Sequence, residues 1–328
     1  MPLIGRSHRY QFHPKAPHLH TSSITSAQPN TRDPLLALAV GEVSGVVALV
    51  IRTEGPSYRS VGASMIFADD GSRIGSLSSG CIEADLALHA EKTRADNAPR
   101  RITYGKGSPY VDIQLPCGGG LEILLLPQPI AGELALIAKV VTERQPVNLS
   151  IAMDSGQITE SALPQTGIAG GNFALHLTPP LRFVVFGKGP EATAFARLVQ
   201  SLGYHGALIS PDLETLSIPV VQGWDMFEIR SPSCPEDVTL DERTAVLFFF
   251  HDHEWEAPIL SEFLDHETFY IGCQGSRQSS ETRLAELDKL GVSPADIEKV
   301  RGPIGLIPSV RDSSTLAVSV LAEILAIP

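Results

Sequence analysis

The chain has 328 residues, 43% of them hydrophobic, and carries 25 Lys and Arg against 37 Asp and Glu, a formal net charge of -12. That length accommodates two domains with a core each, and the acidic balance argues against a nucleic-acid partner. No apolar run approaches the ~20 residues of a membrane span, and the first thirty residues lack the apolar centre of a secretory signal, so a cytoplasmic protein with no membrane partner is expected.

Residues 1–30 mix Pro, Ser, Thr, His and Gln without periodicity and read as a flexible tail outside the fold. A short helix over residues 35–39 leads into GVVALVI at Gly45 to Ile51, a β-rich run closed by the turn signal Gly55-Pro56. Residues 62–68 and 73–77 read as a hairpin around Asp69-Asp70-Gly71, because Asp and Gly tolerate positive φ. Ser78-Ser79-Gly80 then opens a helix over about residues 81–93, with Ile82, Leu86 and Ala90 at helical spacing and Glu83 in its first turn. Strands over residues 101–105 and 121–126 complete an α+β domain spanning residues 31–130. Residues 131–179, a helix and short strands with glycine-rich turns, read as a connector or an appendage to that domain. After Thr178-Pro179-Pro180 the pattern becomes strand, Gly-rich turn, helix, strand over residues 181–210, followed by strands at 245–250 and 269–273 and helices near 280–290 and 313–325. Residues 180–328 therefore predict a Rossmann-like, doubly wound parallel sheet, and the fold class is α/β.

Three features carry chemistry. Gly187-Lys188-Gly189-Pro190-Glu191-Ala192 follows a strand and opens a helix, as a G-x-G-x-x-G/A loop must for its N–H groups to approach a phosphate. The second strand, however, ends in Ser210-Pro211 where a dinucleotide fold places an acid for the ribose, and Asp212 falls two residues late, which disfavours NAD(P). Gly275-Ser276-Arg277 forms a second strand-to-helix turn, and His251-Asp252 follows the strongest strand. A pair of histidines at 251 and 253 with no third ligand does not argue for a metal, and helix capping suits Asp252 better. Of the four cysteines, Cys234 and Cys273 read as packed thiols. Cys81 sits at a predicted helix start, where free N–H groups favour the thiolate, and Cys117 lies before Gly118-Gly119-Gly120, where the backbone can approach a ligand closely.

Together these motifs resemble the XdhC family, accessory factors for xanthine dehydrogenase and related molybdenum hydroxylases. The resemblance runs from Leu35 to Pro328. It is carried by the segment from Gly75 to Ala84 (GSLSSGCIEA), Cys117-Gly118-Gly119, the Gly187 loop, His251-Asp252, Gly275-Ser276-Arg277, and Pro303-Ile304-Gly305-Leu306 before the last helix. It implies a chaperone rather than a turnover enzyme. Such a protein binds the molybdenum cofactor (molybdopterin) as cargo, promotes its sulfuration with a cysteine desulfurase, and delivers it to a molybdenum hydroxylase of the xanthine or aldehyde dehydrogenase type. By the same resemblance Cys81 and Cys117 are the reactive thiols. Ser79, Gly80, Glu83, Gly118, Gly119, Gly187, Gly189, His251, Asp252, Gly275, Ser276 and Arg277 contact the cofactor, between the domains or across a homodimer. Two other readings stay open: an NAD(P)-dependent oxidoreductase using the second domain, and an inert paralogue that acts as a partner-binding scaffold.

Overall fold

The run at Gly45 is apolar at consecutive positions because it is buried on both faces, and this decides the architecture of the first half. In the computed structural model, which describes residues 32–327 except Ser79, Cys81, Gly107, Asp252 and residues 109–117 and 220–222, α1 (Pro34–Ala39) precedes β1 (Gly45–Glu54), β2 (Ser64–Ala68), β3 (Arg73–Gly75), α2 (Glu83–Asp96), β4 (Arg100–Gly105) and β5 (Gly120–Leu126). These strands form an antiparallel sheet in the order β3-β2-β1-β5-β4. Val46, Ala48 and Val50 of β1 pack with Leu86 and Ala90 of α2. Val47, Leu49 and Ile51 face the other way, into a core shared with Leu35, Leu36 and Leu38 of α1.

That second core continues into the next segment. After α3 (Ala131–Thr142), β6 (Val147–Ala152), β7 (Ile158–Glu160), β8 (Gly167–Ala169) and β9 (Asn172–Leu177) build an antiparallel sheet in the order β7-β6-β9-β8. Ile137, Val140, Leu149, Ile151, Phe173 and Leu175 join the core beneath β1. At ~1.5–3 kcal/mol for each fully buried large apolar side chain, this layer packs on the first sheet as part of one core.

The remaining elements are β10 (Arg182–Gly187), α4 (Pro190–Ser201), β11 (Gly206–Ser210), β12 (Trp224–Glu228), β13 (Thr244–Phe249), α5 (His253–Ser261), β14 (Tyr270–Cys273), α6 (Arg277–Lys289), α7 (Pro294–Ile297), β15 (Val300–Arg301) and α8 (Ser313–Leu325). All strand pairs here are parallel, in the order β12-β11-β10-β13-β14-β15. Phe183, Val185 and Leu247 pack with α4 and α8 on one face, and Val184, Phe186 and Phe248 pack with α5 and α6 on the other. The doubly wound Rossmann-like sheet is thus formed. Two of its strands escape sequence reading: β12, WDMFE, is a half-exposed edge with mixed polarity, and β15 has two residues. Helix α6 begins at Arg277, earlier than expected, because Ser276 caps it by accepting from Ser279 N at 3.1 Å.

The two halves meet at the amino edge of the parallel sheet. Arg144, just beyond α3, donates to the Asp241 carboxylate and to Pro180 O, and Arg243 Nε donates to Pro179 O at 3.1 Å. With strands of four to six residues rising ~3.3 Å each, the carboxyl edge, where the loops of the second domain open, lies a strand's length away.

Beneath that carboxyl edge Arg283 of α6 and Glu256 of α5 form an ion pair, Nε to Oε2 at 2.8 Å, with both side chains only 1% exposed. Arg283 Nη2 also donates to Gln274 O at 2.9 Å, fastening the turn after β14. Removing one partner strands a buried charge, so Glu256→Ala is expected to lower stability by about 3–5 kcal/mol in urea unfolding. The double change Glu256→Leu with Arg283→Met, which leaves no charge behind, is expected to cost far less.

Candidate functional site

At the carboxyl edge the strand order reverses between β10 and β13, the switch point at which open α/β sheets take ligands. Gly187 is needed there for packing: a Cβ would stand 2.8 Å from the Cβ atoms of both Ala192 and Phe249. Gly189, with φ +88°, turns the chain into α4, and its N–H donates to Thr215 Oγ1 at 2.8 Å. Thr215 in turn donates to Asp212 Oδ2 at 2.6 Å. The Thr215 hydrogen bonds, aided by the Lys188 charge, hold the Asp212 carboxyl below the usual carboxylate range. Ser210 at the end of β11 is fully buried, and its hydroxyl accepts from Asp212 N at 3.0 Å.

His251 follows β13 with 73% of its side chain exposed, and its Nε2 lies 3.3 Å from Gln274 Nε2 and 3.5 Å from Glu191 Oε2. Loops after three strands therefore converge: Gly187 to Gly189 with Glu191, His251, and Gln274 with Gly275, Ser276 and Arg277. His251 also stands at the rim of a groove of about 650 Å³ between α5 and α6, lined by Ala257, Pro258, Leu290, Glu254, Glu286 and Lys289. Glu191, Gln274 and Thr215 were not anticipated. The signals available were a carboxylate in the first turn of α4 and the Asp212-x-x-Thr215 spacing, in which an Asp side chain accepts from the backbone three residues on.

In the first domain Glu83, one of the expected cofactor contacts, is buried. Its carboxylate turns inward and accepts from Ser76 Oγ at 2.9 Å, Leu77 N at 3.2 Å, Ser78 N at 2.8 Å, Ser78 Oγ at 2.5 Å and Ile82 N at 3.2 Å. The residue is 6% exposed, so it braces the loop rather than facing a ligand. Ile82 at the start of α2 offers no side-chain cap, and the carboxylate of the first helical residue gathers the donors of the preceding loop. Gly119 is also closely packed. A Cβ there would lie 2.1 Å from Pro56 O, so the close approach it permits is to its own β1 turn. Gly118 and Gly80, by contrast, are exposed, with open space around them. Cys81, Cys117, Ser79 and Asp252 lie outside the described residues. Burial pushes the Cys273 thiol up, and burial with the Glu262 charge pushes that of Cys234 to about 11, in keeping with packed cysteines.

No expected site residue with a described position lines the cavity between the two halves. That cavity therefore does not join the described residues of the Gly80 loop to those of the carboxyl edge. The physical reason is that the halves dock through Arg144 and Asp241 at the amino edge.

Burial alone would push the Glu83 carboxyl up, but the donors of Ser78 and Ser76 and its own backbone N–H outweigh it and hold it at about 2 against an ordinary 4.5. A carboxyl lowered in the folded state stabilises above its unfolded value and loses that contribution as pH falls through its folded one. Glu83→Gln is therefore expected to cost about 2 kcal/mol at pH 7. Chemical denaturation at a series of pH values should show the deficit shrinking from about pH 4.5 toward pH 2.

Comparison with known proteins meets this geometry in both halves. Residues 183–324 match the XdhC Rossmann domain and residues 40–105 match the XdhC and CoxI family. The chain is 32% identical over 294 residues, 89% of its length and 85% of the relative's, to the molybdenum cofactor insertion chaperone PaoD of Escherichia coli (strain K12). It is 23% identical over 325 residues to a probable xanthine dehydrogenase subunit of Bacillus subtilis (strain 168), covering 88% of this chain and 94% of that one. Its fold resembles a crystal structure of a xanthine dehydrogenase from Bacillus halodurans, with a TM-score of 0.72 at 21% identity over 90% of this chain and 94% of the other. With a matched motif domain at each end and a relative of this identity across most of its length, the chain belongs to the XdhC and CoxI family.

Proposed function

We propose that the protein is a molybdenum cofactor chaperone that holds the cofactor as cargo and delivers it to a xanthine or aldehyde dehydrogenase-type molybdenum hydroxylase. The observation that carries this reading is the convergence of three loops at the carboxyl edge of a sheet that matches the XdhC Rossmann domain, in a chain similar to an insertion chaperone over most of its length. Exposed Lys188, His251 and Arg277 and the N-terminus of α6 supply N–H groups and positive charge for the phosphate of the cargo. Cys81 and Cys117 supply the soft sulfur ligands and take part in sulfuration with a cysteine desulfurase. A homodimer that sets the Gly80 loop of one chain against the carboxyl edge of the other unites the two sets of residues. The NAD(P) alternative is disfavoured because Ser210 holds the ribose-acid position and Thr215 occupies the Gly189 N–H.

Anoxic purification followed by metal and pterin analysis is expected to find about one cofactor per chain. Lys188→Glu combined with Ser276→Asp should lower that retention at least tenfold, and Cys81→Ala should abolish activation of the apo-hydroxylase. Retention of NAD with no pterin overturns the reading. For the assembly, Cys81 and a cysteine introduced at Ser276 are expected to crosslink between chains, and crosslinking confined to single chains would contradict the dimer.

A further inference from the structure

The cavity at the amino edge is the larger of the spaces described, about 760 Å³, and no part of the cargo reading uses it. Its lining includes Arg32, Arg144, Arg182, Arg243, Tyr204 and Phe269, contributed by both halves of the chain. Two of these guanidiniums share one carboxylate. Arg144 and Arg182 both pair with Asp241, and Arg144 Nη2 also reaches Arg243 O at 3.4 Å. Arg243 is held over the Phe269 ring, 5.0 Å from its centroid, and donates only its Nε among the side-chain bonds to described residues. The cavity lining holds four arginines against three carboxylates, Asp33, Asp225 and Asp237, and Asp241 lies outside it. Asp33 is spent on capping α1, through Leu35 N at 2.8 Å and Leu36 N at 3.2 Å, and Asp225 and Asp237 are exposed. Burial and the neighbouring Arg144 charge push the Arg182 and Arg243 guanidiniums down, against the pull of Asp241. Arg144 and Arg182 share the Asp241 carboxylate, whereas the Arg243 guanidinium has no carboxylate partner among the described residues.

We propose that this interdomain cavity is a binding site for a phosphate-bearing dianion, in which Arg243 and Arg182 of the second domain and Arg144 and Arg32 of the first enclose the phosphate. Planar, always-charged guanidinium forks match phosphate oxygens in pairs, and the volume lies in the range of small-molecule sites. Arg32, 4.0 Å over the Tyr204 ring, stands ready to close over a group carried by that phosphate. Because the ligand touches both halves, its binding tightens their junction. The site is separate from the carboxyl edge and does not depend on what is bound there.

Calorimetric titration of the full chain with inorganic phosphate at about pH 8, where it is mainly the dianion, together with hydrogen–deuterium exchange, tests the proposal. Saturable binding is expected, with exchange slowed at residues 181–182 and 203–206. Arg243→Gln should weaken it at least tenfold and abolish that protection. Should Arg243→Gln fail to fold, Arg32→Gln, an exposed position, should weaken binding at least threefold. Protection confined to residues 187–189 and 275–277, no saturable binding, or unchanged affinity in the variant that folds would overturn it.

Discussion

Asp241 is the carboxylate on which the relation between the two halves of this protein depends. Standing just before β13, it receives Arg144 from the end of α3 and Arg182 from the start of β10, and hydrogen bonds from Thr244 Oγ1 and Arg243 N secure it. Burial alone would raise its carboxyl; Arg144, Thr244 and Arg182 reverse this and hold it at about 2. One anion serving two cations at partly buried positions is worth more than an exposed surface pair. It also fixes which edge of the parallel sheet is covered.

Covering the amino edge leaves the carboxyl edge open. The turns at Gly187, His251 and Gly275 are then free to take a ligand, supported from below by the Glu256–Arg283 pair rather than by the other domain. Such an edge suits the proposed holding and release of a cargo, since nothing in the same chain has to move aside. The same docking gathers arginines into the interdomain cavity, because the residues that open parallel strands and the residue that ends α3 meet there.

In the first domain, a comparable economy is seen around Glu83. Its carboxylate accepts the donors of Ser76, Leu77, Ser78 and Ile82, so the loop that carries Gly80 is stiffened from within. An exposed glycine on a braced loop presents backbone without a side chain in the way, whereas Gly119 and Gly187 are glycines for the sake of packing against Pro56 and against Ala192 and Phe249. Glycine in a motif thus carries two different meanings that only the neighbouring atoms separate.

The periodicity and punctuation of the chain were sufficient for most of the fold. GVVALVI at Gly45 and the apolar strand at 244–249 announce strands buried on both faces, and strand, Gly-rich turn and helix at 182–201 announce the parallel sheet. Those signals are local, set by side-chain spacing within one element. The motif at Gly75 to Ala84 and the turns at Gly187, His251 and Gly275 were legible as chemistry for the same reason. What tertiary structure alone decided is where side chains distant in sequence end up: Glu191 and Gln274 beside His251, Thr215 on the Gly189 N–H, and Arg144 on Asp241. These partners lie 23 to 97 residues apart in the chain or on separate elements, and a hydrogen bond or ion pair leaves no periodic trace in either partner's neighbourhood. Sequence therefore determined the elements and the residues able to do chemistry, while the docking of the two halves determined which edge of the sheet those residues could use.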